Sequence, residues 1–136
     1  MSKILVVDDS PIELAMIAEN IQEAFKEIGE ECSIHTASDG DTALELIQKE
    51  TPRMILLDLN LPKKSGLAVL RILKSTETTK HIPVVFITTS QDPLDILHGW
   101  REHIAGYIVK PLDYDDYKKI SQTIIKYWIE LVKTIH

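Results

Sequence analysis

Short apolar runs alternate along this chain with longer segments in which apolar residues recur every three or four positions. A short apolar run is typical of a strand buried on both faces, and the longer spacing is typical of a helix that buries one face. The alternation predicts an α/β fold with a parallel sheet of five strands, each followed by a helix. The predicted strands cover residues 3–7, 32–37, 54–57, 83–87 and 106–109.

The last helix is predicted to be unusually long, from about residue 113 to residue 135, which is roughly 35 Å of helix. One stripe of this helix is predicted to face the core, and three further apolar residues widen the stripe beyond the usual apolar face. We expect these three residues to form a homodimer interface together with the fourth helix and the fifth strand. The alternative is a longer helix that packs only on its own sheet. The core stripe is Tyr117, Ile120, Ile124, Trp128, Leu131 and Ile135, and the expected interface is Ile125, Ile129 and Val132.

Composition limits the class of protein. A chain of 136 residues with 44% hydrophobic residues is long enough for one domain, residues 1–136, with a single core. The formal charge of -6 argues against general nucleic-acid binding. No stretch approaches the roughly 20 apolar residues that span a bilayer, and no basic leader precedes the first strand. We therefore expect a cytoplasmic protein with neither a membrane nor a nucleic-acid partner.

Charged side chains stand at the ends of three predicted strands. Asp8 and Asp9 follow the first strand, Asp58 follows the third, and Lys110 follows the fifth. The carboxyl ends of parallel strands meet at one edge of a sheet, so these residues are expected to share a pocket. Carboxylates suit Mg²⁺, and an aspartate beside such a metal can act as a nucleophile toward a phosphoryl group. Lys110 would neutralise phosphoryl oxygens, and Thr88 would donate a hydrogen bond to one.

Each of these residues also has an ordinary structural interpretation. The acidic pair at residues 8–9 can be a helix N-cap, Asp58 can begin an Asx turn, Thr88 can be a solvated strand end and Lys110 a surface lysine. Their recurrence at the ends of four predicted strands favours a functional site.

With these residues the chain resembles the response-regulator receiver domains of bacterial two-component signalling, and the resemblance covers nearly all of it. The resemblance implies a flavodoxin-like three-layer α/β/α sandwich with a doubly wound sheet in the order 2-1-3-4-5. It also implies a Lys110–Pro111 bond in the cis form, at a cost of about 0.5–1 kcal/mol. The residues that carry it are Asp8-Asp9, Asp58 within the segment 56–62, Thr88, Tyr107 and Lys110-Pro111.

The resemblance implies a role for each site residue. Asp58 would accept the phosphoryl group, with Thr88 and Lys110 as catalytic partners, and Thr88 and Tyr107 would form the conformational switch. The phosphoryl donor would be a sensor histidine kinase or a phosphotransfer protein, and the extended last helix resembles regulators that work with phytochrome kinases. No output domain follows residue 135, so a separate effector protein is expected. The implied Mg²⁺ ligands are Asp8, Asp9, Asp58 and the backbone carbonyl of Asn60.

Three functions stay open on these grounds. The first is a stand-alone response regulator that signals through protein contacts without being an enzyme. The second is a magnesium-dependent phosphatase with Asp58 as nucleophile, although such an enzyme would usually need a general acid where this chain has Asn60. The third is a structural receiver that takes no phosphate, which the complete set of site residues disfavours.

Overall fold

The computed structural model describes residues 1–133. Strands and helices alternate through this range as the hydrophobic pattern predicts. The strands are Ser2–Val7 (β1), Cys32–Ala37 (β2), Met54–Leu57 (β3), Val84–Thr88 (β4) and Gly106–Val109 (β5). The helices are Pro11–Glu27 (α1), Gly40–Lys49 (α2), Gly66–Ser75 (α3), Pro93–Arg101 (α4) and Tyr114–Ile125 (α5), and a π-helical turn, Lys126–Leu131, follows α5.

The strands form one parallel sheet in the order β2-β1-β3-β4-β5. The central strand β3 is buried at each of its residues, as a continuous apolar run requires. Helices α1 and α5 bury their apolar residues on one face of the sheet, and α2 and α3 bury theirs on the other. These three layers confirm the flavodoxin-like sandwich and its strand order. The chain reverses its winding direction between β1 and β3, the position at which α/β sheets bind ligands.

Each of the five α-helices begins with a polar side chain that accepts a hydrogen bond from a backbone N–H of the first turn. Such a cap satisfies a donor that has no partner inside the helix, and it typically stabilises the helix by about 1 kcal/mol. The five capping residues are Ser10, Asp39, Ser65, Asp92 and Asp113.

Among the described residues, none of the helices combines the length and the hydrophobicity that a membrane-spanning helix needs.

The helix predicted over residues 113–135 is shorter than predicted and is not α-helical throughout. The α-helix ends at Ile125, and the next residues form a π-helical turn that ends with Val132 in an extended conformation. Arg53 fixes this turn, because its Nη2 donates a hydrogen bond of 3.2 Å to the backbone oxygen of Ile129. Ile135, which was predicted to lie on the core stripe, is outside the described residues.

The interface predicted for this helix is also wrong in two of its three residues. Ile125 is fully buried and Ile129 is 6% exposed, and both belong to the protein's own core beside α1. Val132 is half-buried, and Leu131, predicted to be in the core, is 70% exposed. The reason is that Ile125, and Ile129 one turn later, lie on the face of the helix that packs against α1. The wider i→i+5 turn follows Ile125 and accounts only for Leu131, which it rotates out of the predicted core stripe. The homodimer itself stays a prediction, without Ile125 and Ile129 at its surface.

The new placement predicts that Ile125 stabilises the monomer. Ile125→Ala removes a fully buried side chain, so we expect it to lower the free energy of unfolding by about 2–5 kcal/mol. Urea denaturation followed by circular dichroism measures the loss, which should be the same at low and high protein concentration. The matched control is Leu131→Ala, an exposed neighbour expected to change stability by less than about 0.5 kcal/mol. Equal effects of the two substitutions would contradict the assignment of Ile125 to the core.

Candidate functional site

Three charged side chains from the carboxyl ends of β1, β3 and β5 meet in one pocket. Lys110 Nζ lies 2.8 Å from Asp8 Oδ2 and 2.9 Å from Asp58 Oδ2. All three side chains are at least nine-tenths buried. The convergence predicted from the strand ends is therefore confirmed, and the interpretation of Lys110 as an ordinary surface lysine is wrong.

The backbone fixes the two buried carboxylates as it leaves the sheet. Asp8 Oδ1 accepts a hydrogen bond of 2.9 Å from the backbone N–H of Ser10, and Asp58 Oδ1 accepts one of 3.2 Å from that of Asn60. Each aspartate therefore does form an Asx turn, as the ordinary interpretation of Asp58 proposed. One oxygen of each carboxylate makes the turn, and the other is left to face Lys110. Asp8 and Asp58 therefore each stabilise a turn and contact Lys110 at the same time.

Lys110 reaches the pocket through a trans peptide bond. No peptide bond among the described residues is cis, so the cis form expected for Lys110–Pro111 is wrong. The trans form is the more stable isomer of an X-Pro bond. The backbone N–H of Lys110 donates a hydrogen bond of 2.7 Å to the carbonyl of Thr88, which joins the ends of β5 and β4. With the backbone held in this way, the side chain already extends to both carboxylates.

Burial and charge act against each other in the pocket. Burial raises the pKa of the Asp8 carboxyl group, and the hydrogen bond from Lys110 opposes this shift. Burial alone would lower the pKa of Lys110, but hydrogen bonds to three carboxylates outweigh it, and the pKa lies above its ordinary value. Lys110 therefore stays an ammonium ion at neutral pH, as an electrostatic partner for a phosphoryl group must.

The acidic residues fit a divalent cation. Oxygen atoms of Asp8, Asp9 and Asp58 all lie within 4.8 Å of one another, and the side chain of Asp9 is exposed at the mouth of the pocket. Hard cations such as Mg²⁺ take carboxylate oxygens in this kind of cluster, together with water. Lys110 is the one cation that pairs with these carboxylates in the described residues, so negative charge is in excess. The backbone carbonyl of Asn60 as a further ligand stays a prediction.

The two predicted switch residues, Thr88 and Tyr107, lie next to the pocket and share one hydrogen-bonding partner, Ser90. Thr88 is fully buried, and its hydroxyl oxygen accepts a hydrogen bond of 3.4 Å from the backbone N–H of Ser90. The Tyr107 hydroxyl donates a hydrogen bond of 2.9 Å to the carbonyl of the same Ser90. The Tyr107 ring is half-buried and packs edge-on against Phe86, with 6.0 Å between ring centres. Ser90 therefore forms hydrogen bonds with both of the predicted switch residues.

The loop after Asp58 is held close to it by Gly66. A Cβ atom on Gly66 would lie only 2.3 Å from the carbonyl oxygen of Asp58, so no other residue fits without a backbone shift. The N–H of Gly66 closes the loop through a hydrogen bond of 2.8 Å to the carbonyl of Leu59. Ser65 caps α3, because its hydroxyl oxygen accepts a hydrogen bond of 3.2 Å from the backbone N–H of Ala68.

Sequence reasoning missed one member of the site, Glu13. This residue lies in the first turn of α1, and its carboxylate contacts Lys110 Nζ directly. An acidic residue in the first turn is ordinarily explained by the helix dipole. The available signal was the position of α1, which starts three residues after Asp8 and so places its first turn beside the pocket.

The class of protein follows from this fold and this pocket. Residues 4–122 match the response regulator receiver domain family, and the chain belongs to that family. The parallel sheet in the order β2-β1-β3-β4-β5 and the acidic pocket with its lysine are those that the resemblance in the sequence led us to expect.

The chain is most informatively compared with two regulators. It is 34% identical to response regulator Rcp1 of Synechocystis sp. over 136 residues, which covers 95% of this chain and 90% of Rcp1. The Mn²⁺-bound form of Rcp1 superposes on it with a TM-score of 0.87 and covers 100% of both chains at 32% identity. The phosphorylated cyanobacterial phytochrome response regulator RcpA superposes with a TM-score of 0.89 at 33% identity and covers 99% of both chains.

A third relative shows a similar level of identity. The probable methanogenesis regulatory protein FilR2 of Methanothrix harundinacea is 35% identical over 132 residues, covering 93% of this chain and 83% of FilR2. Relatives with different names thus share a similar level of sequence identity with this chain. The similarity in fold along the whole length is shown for Rcp1 and RcpA.

The close approach of Gly66 to Asp58 makes a testable prediction. In Gly66→Ala the new methyl group would collide with the Asp58 carbonyl, so we expect a loss of about 1–3 kcal/mol in unfolding free energy. We also expect weaker Mg²⁺ binding by calorimetry, because Asp58 must move. Gly106→Ala is the control, since its Cβ would meet Val85 at an ordinary 3.5 Å. Unchanged Mg²⁺ affinity in Gly66→Ala would show that Gly66 does not position Asp58.

Proposed function

We propose that this protein accepts a phosphoryl group on Asp58, in a magnesium-dependent reaction, from a phosphohistidine of a sensor kinase or phosphotransfer protein. The observation that carries the proposal is the buried Lys110 ammonium between Asp8 and Asp58. An ammonium held this way is a ready partner for phosphoryl oxygens, and phosphoryl transfer depends mainly on positioning and charge stabilisation. Membership of the receiver family supports the same reaction.

The chain's own residues supply most of the chemistry. A carboxylate oxygen of Asp58 attacks phosphorus, the O–P bond of an acyl phosphate forms, and the N–P bond of the donor breaks with its electron pair returning to the imidazole. Lys110 already faces Asp58 and would stabilise the negative charge on the transferred group. Asp8, Asp9 and Asp58 would hold Mg²⁺, which when bound would neutralise further phosphoryl charge. The Mn²⁺-bound structure of Rcp1 supports a divalent cation at this site.

The signal is proposed to leave the site through Thr88 and Tyr107. A phosphoryl group on Asp58 would draw the Thr88 hydroxyl toward it and away from the Ser90 N–H. The Tyr107 hydroxyl, bonded to the Ser90 carbonyl, would then rotate inward into the space that Thr88 leaves. The contacts of both residues with Ser90 support this route, because one short segment links them.

The output is proposed to be a protein contact on a separate effector. Helix α4 directly precedes β5, the strand that carries Tyr107. Its side chains Leu94, Leu97 and Trp100 are 59%, 42% and 51% exposed. Such a group of exposed apolar residues is typical of an interaction surface. A phytochrome-type kinase as donor is supported by the similarity to RcpA. The predicted homodimer would use this surface now that Ile125 and Ile129 are assigned to the core.

A phosphatase acting on small phosphoesters is the competing function. It needs a proton donor for the leaving group, and the residue two positions after Asp58 is Asn60, whose amide cannot serve as a general acid at neutral pH. Asn60 instead donates its backbone N–H to Asp58. Turnover of p-nitrophenyl phosphate at a rate unaffected by phosphohistidine donors would favour the phosphatase.

Phosphate incorporation tests the acceptor directly. After incubation with acetyl phosphate and Mg²⁺, intact-mass spectrometry should show one phosphate on the wild type and none on Asp58→Asn. The control is Asp116→Asn, an exposed aspartate on α5 that should label like the wild type. Labelling of Asp58→Asn to the wild-type extent would reject Asp58 as the acceptor.

Thr88 should matter more for the response than for the chemistry. Thr88→Ala removes the hydroxyl that would reach the phosphoryl group, and we expect labelling to fall by less than about tenfold, the loss of one hydrogen bond. The phosphorylation-dependent NMR shift of the Tyr107 ring should disappear. Thr88→Ser keeps the hydroxyl and should restore the shift. A full Tyr107 shift in Thr88→Ala would disprove the coupling.

A further inference from the structure

Lys110 has a third carboxylate partner that lies outside the strand ends. The Glu13 carboxylate contacts Lys110 Nζ together with Asp8 and Asp58. The Glu13 side chain is 31% exposed, whereas those of Asp8 and Asp58 are 2% and 6% exposed. Glu13 therefore approaches the ammonium group from the solvent side of the pocket, and it contributes a negative charge that the phosphoacceptor chemistry does not require.

The start of α1 explains why Glu13 is free to do this. Ser10 and Glu13 have the spacing of a capping box, in which the glutamate normally bonds back to the serine N–H. Here Asp8 Oδ1 already accepts from the Ser10 N–H, at 2.9 Å. Only half of the box forms, with the Glu13 N–H bonded to Ser10 Oγ at 3.3 Å. The Glu13 side chain, excluded from its usual partner, turns to Lys110.

The charge of Glu13 has opposite consequences for the two ligands of the pocket. A third partner competes with Asp58, and with anything bound to Asp58, for one ammonium group. Its negative charge also repels an anionic phosphoryl group at short range and attracts a divalent cation. Glu13 is close enough to these groups for its charge to act on them, since it raises the pKa of Asp8 and of the buried Tyr117.

We infer that Glu13 is a positioning residue that holds Lys110 in the unphosphorylated pocket and must release it when a phosphoryl group binds. Glu13 thereby weakens the hold of the pocket on the phosphoryl group while strengthening its hold on the cation. This inference rests on the proposed function of Asp58 as acceptor. It assigns to a helix residue a part of the balance between the resting and phosphorylated states.

The test uses Glu13→Gln, which removes the charge and keeps the shape. Mg²⁺ affinity is measured by calorimetry with MgCl₂ alone. Affinity for beryllofluoride, an unreactive phosphoryl mimic, is measured at saturating Mg²⁺ by two-dimensional NMR. Glu19→Gln is the matched control, because Glu19 is an exposed glutamate on the same helix. Glu13→Asp, which keeps the charge on a shorter side chain, tests for rescue.

The expected result is a change of opposite sign for the two ligands. Glu13→Gln should bind beryllofluoride about three- to tenfold more tightly and Mg²⁺ about two- to fivefold more weakly, the size expected for one screened charge. Glu19→Gln should change neither, and Glu13→Asp should fall between the wild type and Glu13→Gln. A general defect of the pocket would instead weaken both ligands.

Two outcomes would overturn the inference about Glu13, and a third would overturn the proposed function of Asp58. Beryllofluoride affinity that is unchanged or lower in Glu13→Gln would show that Glu13 does not compete for Lys110. A loss of both affinities would show that Glu13 only maintains the structure of the pocket, and would overturn it as well. Failure of the wild type to bind beryllofluoride at all would reject the proposed function of Asp58 itself.

Discussion

The buried ammonium group of Lys110 is the interaction on which the rest of the site depends. It joins the ends of β1 and β5 to that of β3, although these residues are far apart in sequence. A buried charge without a partner costs several kcal/mol, so each of the three groups needs the others to remain inside the protein. The contacts that are proposed to receive a phosphoryl group therefore also fix the edge of the sheet.

The sheet and the main site residues could be predicted because their signals are local. An apolar run of four residues followed by aspartate defines both β3 and Asp58, and the boundaries of β2, β3 and β5 agree with the predicted ones. β4 starts one residue later than predicted, at Val84, because Pro83 has no N–H to donate to the sheet. Parallel topology then brings the strand ends together without further information.

The features that could not be predicted depend on contacts between distant segments. The π-helical turn after α5 is held by Arg53, a residue next to β3, and nothing in the helical periodicity of residues 113–135 announces it. The turn rotates Leu131 out of the predicted core stripe, and this residue is 70% exposed. The side chain of Glu13 was missed for a similar reason. The direction of this side chain depends on whether Asp8 accepts the hydrogen bond from the Ser10 N–H, and that contact is known only from the folded structure.

The charges of the pocket also bear on the two states that the proposed function requires. A single ammonium group is shared among three carboxylates, and the remaining negative charge is unbalanced. Under the proposed function a cation would relieve this imbalance, and a phosphoryl group on Asp58 would restore it at a new position, so the partners of Lys110 would redistribute. A backbone hydrogen bond of 2.7 Å joins Lys110, which follows β5, to Thr88 of β4, so a shift of the Lys110 backbone would reach the strand that bears the predicted switch hydroxyl. The unbalanced charge of the pocket and the proposed response at the sheet edge thus involve the same residue, Lys110.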